Sequence, residues 1–251
     1  MNERKDRAQT NLLKDYFIRN GVELVLFDLD DTLLKTHQVF VDQISAYYKH
    51  IASCIPDIDM ARLIQIFEKA NIDVFSISSV NPNRWEHVVY RLKSYFPSNP
   101  APFESGRDIL MQIYNVVPEL EEGAIETLEV FSETGIPLEL VTHANEAWTY
   151  FKLDNTGLRK YFREPNVISQ DGYKTSEEWR RVISRRKVNP NSVMVIGDNI
   201  EGDIISSNKA GVTKLVWVNC KDGWSRFKQG EVPEGTIKIK GVNELVNTLL
   251  K

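Results

Sequence analysis

Apolar positions along this chain follow two rhythms. Short, nearly continuous apolar runs occur at Val22–Phe27, Pro137–Val141 and Val193–Ile196, with weaker ones at Lys214–Val218 and Asn166–Ser169. Runs of this length, rich in β-branched residues and leucine, predict buried parallel strands. Between them the apolar residues recur at helical spacing over Gly123–Glu133, Glu146–Asn155, Ser176–Arg186 and Ile200–Ala210. Strand and helix therefore alternate through this half, which predicts a doubly wound α/β sheet with ligands beyond the carboxyl ends of its strands.

Residues 36–119 break that rhythm. Helical patterns cover Gln38–Cys54, Asp59–Ala70, Arg84–Phe96 and Gly106–Tyr114 with no convincing strand, and Phe96–Phe103, with three prolines, reads as a loop among them. The expected organisation is a core made of residues 1–35 and 120–251, interrupted by a helical insert over 36–119. The aromatic residues of the insert fall at helical spacing and are read as packing. Arg84, Trp85 and His87 are read as core or surface rather than as pocket residues.

With 42% hydrophobic and 26% charged residues, the chain has the composition of an ordinary globular protein, so a disordered or fibrous reading is set aside. A formal charge of -4 gives no global attraction to nucleic acid or to an anionic membrane, and neither is an expected partner. The basic cluster Arg180, Arg181, Arg185, Arg186 and Lys187 is read as a solvated helix face. Cys54 and Cys220 lack metal or redox spacing and are expected to be buried free thiols. Without a leader-like or membrane-spanning apolar stretch, a reducing cytoplasm is the expected location.

The chemistry-bearing residues gather at the ends of the predicted strands. The first strand runs into Asp28-Leu29-Asp30-Asp31-Thr32, the second ends at Thr142 and His143, and the fourth ends in Gly197-Asp198-Asn199-Ile200-Glu201-Gly202-Asp203. Lys174 follows the third strand. In this order the set resembles the four motifs of the haloacid dehalogenase-like hydrolases: DxDx(T/V), a strand-terminal Ser or Thr, a Lys, and GDxxxD or GDxxxxD. The resemblance spans about Leu24 to Val218. It implies a Rossmann-like core with a helical cap after the first motif.

Within that resemblance each need of phosphate-ester hydrolysis has a candidate. Asp28 would be the nucleophile, forming an aspartyl-phosphate, and Asp30 the general acid and base. Like charges about 4 Å apart repel by roughly 4 kcal/mol at an effective dielectric near 20, so a carboxylate cluster that receives phosphate needs a cation. The resemblance gives Mg²⁺, held by Asp28, Asp198 and the Asp30 carbonyl, with Asp203 acting directly or through water. Thr142 and Lys174 would bind phosphoryl oxygens, and His143, standing where the family often has Asn, still offers its backbone N–H. Asp31 and Thr32 are read as turn or helix caps. The expected enzyme is a Mg²⁺-dependent phosphatase acting on a small phosphorylated metabolite. A phosphosugar mutase and a non-catalytic phosphate-binding protein are the alternatives.

Overall fold

The computed structural model describes residues 2–162, 164–169, 172–220 and 223–251. Six parallel strands form one sheet: β1 (Leu24–Phe27), β2 (Leu138–His143), β3 (Asn166–Ile168), β4 (Val193–Gly197), β5 (Lys214–Val218) and β6 (Ile237–Ile239). Their spatial order is β3-β2-β1-β4-β5-β6. Order reverses at β1, whose neighbours are β2 and β4, and this opens a crevice at the carboxyl end of β1.

The continuous apolar runs are explained by burial on both faces. Val25 and Phe27 enter one cluster with Leu140, Met194 and Ile196, while Leu24 and Leu26 enter the other with Val141, Val193 and Val195. β1 begins two residues later than its apolar run. Val22 instead closes the preceding helix, its N–H donating to Phe17 O at 2.9 Å after Gly21 turns the chain at φ +58°. That helix, α1 (Asn2–Arg19), and strand β6 are absent from the sequence reading. Leu13 and Phe17 seat α1 on the sheet, the Phe17 ring lying edge-on to Phe131 at 5.4 Å.

Residues 36–115 fold as helices α2 (Thr36–Cys54), α3 (Met60–Ser78), α4 (Arg84–Tyr95), α5 (Ala101–Ser105) and α6 (Arg107–Met111), followed by a 3₁₀ turn at Gln112–Asn115. They enclose an apolar cluster of their own around Tyr47, Phe67, Trp85, Leu92 and Phe103. α3 runs past the expected Ala70 because Val74 continues the buried stripe Leu63, Phe67, Ala70. The expected loop Phe96–Phe103 ends inside α5, where Pro102 sits in the first turn and costs no hydrogen bond. The chain enters and leaves these helices through a two-stranded neck: Leu34 bridges Leu120 antiparallel, and Lys35 N–H donates to Glu119 O at 2.8 Å.

The remaining core helices are α7 (Ala124–Glu133), α8 (Glu146–Thr156), α9 (Ser176–Arg186), α10 (Ser206–Lys209) and α11 (Leu245–Leu249). Where one helix over Ile200–Ala210 was expected, a wide π-type turn at Ile200–Ile205 precedes α10. The basic cluster lies on α9 opposite its buried Trp179, Val182 and Ile183, as a solvated face should. The thiols depart from expectation: both are free, but Cys54 is exposed and Cys220 only half-buried. Among the described residues no helix is long and apolar enough to cross a membrane.

Candidate active site

Strand register brings the motif residues together. Phe27 pairs with both Leu140 and Ile196, so the residues that follow on β1, β2 and β4 emerge side by side at one sheet edge. Asp28 closes β1 with its N–H on Ile196 O at 2.9 Å. The chain then turns tightly through Leu29–Leu34, with Leu33 and Leu34 both donating to Leu29 O.

Asp28, Asp198 and Asp203 are buried, and one ligand atom of each lies within 4.8 Å of the others. Lys174, on the β3–α9 loop, is also buried and pairs with Asp28 Oδ1 and with Asp203 Oδ1, the latter at 2.6 Å. Gly197 makes this approach possible. A Cβ there would lie 2.5 Å from Asp203 Cγ, so only glycine lets that carboxylate rest against the end of β4. Asp203 Oδ2 in turn accepts from Asn199 N–H at 3.0 Å, and Asn199 caps the π-type turn through Gly202 N–H at 2.9 Å.

Three buried carboxylates against one ammonium give a formal charge of -3 + 1 = -2. Burial raises the Asp28 carboxyl to about 7 against the opposing pull of Lys174, and Asp203 and Asp30 raise it further. Burial, then the charges of Asp28 and Asp203, push Asp198 well above the ordinary carboxylate value. Burial alone would lower Lys174, yet Asp203 and Asp28 hold it above the usual lysine value. Asp198 Oδ2 is buried without a hydrogen-bond partner, and so is Thr142 Oγ1 on β2. A hard divalent cation of charge +2 fits the surplus charge and the all-oxygen donor set, including the orphaned Asp198 oxygen. The orphaned Thr142 hydroxyl fits an oxyanion.

Asp30 sits at the cavity side of this cluster with its side chain 25% exposed, and Thr36 and Lys152 both donate to its Oδ1. Lys152 is the residue that motif reasoning missed. It lies on α8, fully buried, with its ammonium 4.2 Å from the Trp148 ring centroid. Its place on the buried face of α8 with Trp148 and Leu153, at i, i+4 and i+5, is the signal that would have found it.

Asp31 takes the capping role. It adopts φ +59°, a conformation that aspartate tolerates, and its Oδ1 accepts from His37 N–H at 2.7 Å in the first turn of α2. Burial pushes its carboxyl up to about 7 against that hydrogen bond. Thr32 does not cap; its hydroxyl donates to Asp28 Oδ2 at 3.2 Å. His143 is held between two parts of the fold, its Nε2 3.2 Å from Ser79 Oγ at the end of α3 and its ring 5.7 Å from Tyr173. Burial, and next the charge of Lys174, lower it to about 4, so the ring is neutral at physiological pH.

Asp28, Asp30, Thr142, Lys174, Asp198 and Asp203 line a cavity of about 320 Å³, within the size range of small-molecule sites. The sheet edge supplies one wall and the helices of residues 36–115 the other, through Phe40, Phe75, Arg84 and Tyr114. Arg84 therefore lines the cavity, where sequence reasoning had favoured core or surface. Trp85 lies in the helical core as expected.

Comparison with known proteins gives the chain a family. Residues 25–217 match the sequence model of the haloacid dehalogenase-like hydrolases. A curated relative, pyrophosphatase PpaX of Bacillus pumilus (strain SAFR-032), is 22% identical over 196 residues, 76% of this chain and 80% of that protein. Among solved structures, a haloacid dehalogenase-like family hydrolase from Xanthomonas campestris superposes with a TM-score of 0.71 at 15% identity, covering 91% of each chain. The HAD-hydrolase YfnB of Bacillus subtilis, solved bound to magnesium, gives 0.64 at 18% identity and covers 91% of this chain and 98% of its own. At such identities the structural likeness establishes the fold.

Proposed function

Since the chain belongs to the haloacid dehalogenase-like hydrolases, we propose that it is a phosphatase of small phosphorylated metabolites, working through an aspartyl-phosphate on Asp28. One observation carries this reading: Asp28 and Asp30, two residues apart at the end of β1, share a cavity with Lys174 and with the unpartnered hydroxyl of Thr142. The dehalogenases and phosphonatases of the family lack an acid at the position of Asp30.

In this reading Asp28 Oδ attacks phosphorus, forming an O–P bond as the bond to the leaving oxygen breaks. Asp30 gives its proton to that oxygen, then takes one from the water that cleaves the acyl phosphate, so Asp28 is regenerated and inorganic phosphate leaves. Lys174 and Thr142 donate to the phosphoryl oxygens, and the backbone N–H of His143 is a further donor. Thr36 and Lys152 orient Asp30. Asp28, Asp198 and the Asp30 carbonyl, with Asp203 directly or through water, would hold Mg²⁺. The cation would neutralise the buried carboxylates and the incoming phosphate.

We read the helices of residues 36–119 as a cap that limits substrate size and excludes water, and the enzyme as cytoplasmic. The test is phosphate release from a panel of small phosphomonoesters with Mg²⁺ and with chelator, with Asp28→Asn as control. Release that needs both Mg²⁺ and Asp28 is expected, with the Asp28→Asn rate at least about 10⁴-fold lower. Release that survives in Asp28→Asn removes the nucleophile assignment.

A further inference from the structure

The wall opposite the carboxylate cluster holds an arginine without a counter-charge. Arg84, the first residue of α4, is 2% exposed, and its guanidinium carbon lies 4.3 Å from the Trp85 ring centroid, 5.4 Å from Phe40 and 5.5 Å from Phe75. Its polar partner is the Tyr114 hydroxyl, a phenol that burial keeps protonated, and its Nε has no hydrogen-bond partner. Among the described residues no carboxylate lies within ion-pair distance of it. An arginine stays charged at neutral pH even where burial lowers its pKa, as here. Ring faces satisfy such a cation from above its plane, while its N–H donors point outward in the plane and want oxygen acceptors. A charge this deeply buried is retained only if an anion meets it. Since Arg84 and Tyr114 line the cavity that also holds Asp28 and Asp30, the anion available to them is the ligand.

We propose that Arg84, steadied by Tyr114 and the rings of Phe40, Phe75 and Trp85, reads a second oxyanion on the substrate, remote from the scissile phosphate. The preferred substrates are then phosphomonoesters that also carry a carboxylate or a second phosphate. This rests on the phosphatase reading for the identity of the scissile group, and on the buried guanidinium for the rest. The carboxylate cluster with its metal takes one end of the substrate and Arg84 takes the other. A neutral sugar or alcohol phosphate would leave the guanidinium buried and unmet.

The experiment uses two matched pairs: glycerol 3-phosphate against 3-phosphoglycerate, and fructose 6-phosphate against fructose 1,6-bisphosphate. In the native enzyme, kcat/KM for the doubly anionic member of at least one pair should exceed that of its partner by about 10- to 100-fold, the scale of a hydrogen bond to a charged group. The pair that shows it tells carboxylate from phosphate. In Arg84→Met the ratio should fall toward one, and Arg84→Lys, which keeps charge but loses the planar fork, should recover part of it. Ratios near one in the native enzyme, or a ratio untouched in Arg84→Met, overturn the proposal. Calorimetric binding of the same four compounds to the native protein with Mg²⁺ separates the two readings. Arg84-dependent preference in binding without phosphate release upholds the second anion and sinks the phosphatase, and release without preference does the reverse. Should Arg84→Met fail to fold, Arg84→Lys and Tyr114→Phe, followed by thermal melting, carry the same ratio test.

Discussion

The two walls of the cavity treat charge in opposite ways. At the sheet edge, Asp28, Asp198 and Asp203 share one ammonium, Lys174, and leave negative charge over. Across the cavity, Arg84 stands among aromatic rings with a neutral phenol for company and leaves positive charge over. On the proposed reading each imbalance is met from solution, by a cation on one side and by the substrate on the other. On the sheet side the carboxylates sit at or just beyond strand ends, and Gly197 leaves room for Asp203. The helical side is held by ring packing around Arg84. In the same reading the first side carries chemistry and the second selectivity, with Thr36 joining them through Asp30.

The sharpest way to break the comparison is at Asp30, which belongs to neither charge cluster. Asp30→Asn should slow both formation and hydrolysis of the intermediate by about 10²- to 10⁴-fold in single-turnover measurements while phosphate-ester binding persists. An unchanged rate would remove its proton-transfer role and leave catalysis on the sheet wall to Asp28 without it.

Next in size is the dependence of the sheet wall on protons. Metal binding requires ionised carboxylates, and the Asp28 carboxyl is raised to about 7. Affinity for Mg²⁺ measured calorimetrically should therefore fall as pH drops through about 7, by about tenfold per pH unit for each proton displaced. Stability of the metal-free protein has the opposite sign. A carboxyl whose folded pKa, about 7 for Asp28, lies above the ordinary value of 3.8 favours the folded state at low pH, so melting in chelator should decline from about pH 4 to about pH 7 and level off above. Mg²⁺ at a hundredfold excess over Kd should restore roughly 5 to 10 °C at pH 8. A flat melting profile in chelator would mean that the carboxylates carry no surplus charge.

Smaller still is the effect of filling the cradle. Gly197→Ala places a methyl 2.5 Å from Asp203 Cγ and should cost about 1 to 3 kcal/mol in denaturant unfolding, with weaker Mg²⁺ binding. The mildest change is Asp31→Ala, which removes the acceptor for His37 N–H and should destabilise by about 1 kcal/mol with little loss of metal binding. A large catalytic loss in that variant would move Asp31 from cap to chemistry.

The parts of this molecule that the sequence makes legible are those with a local signature. Strands buried on both faces read as apolar runs, and Asp28, Thr142 and Asp198 were legible because each ends such a run. Lys174 was legible only through its order among them. Strand β6 was not, because Ile237–Ile239 is three residues long and Lys238 interrupts it. Helix α1 buries a stripe too narrow to stand out among its charged residues. Lys152 and Arg84 carry no motif; their meaning depends on what the fold brings beside them, Asp30 for one and, for the other, aromatic rings with no carboxylate in ion-pair distance among the described residues. Such information is non-local, and no window along the chain contains it.

Thr36 is at once the first residue of α2 and a hydrogen-bond donor to Asp30. The proposed proton donor is thereby registered against the leading turn of the helical unit. If Asp30 is the acid, any shift in the first turn of α2 would move the proton donor with it. Through one hydroxyl, a change at the start of the helical unit would reach the carboxylate at the sheet edge.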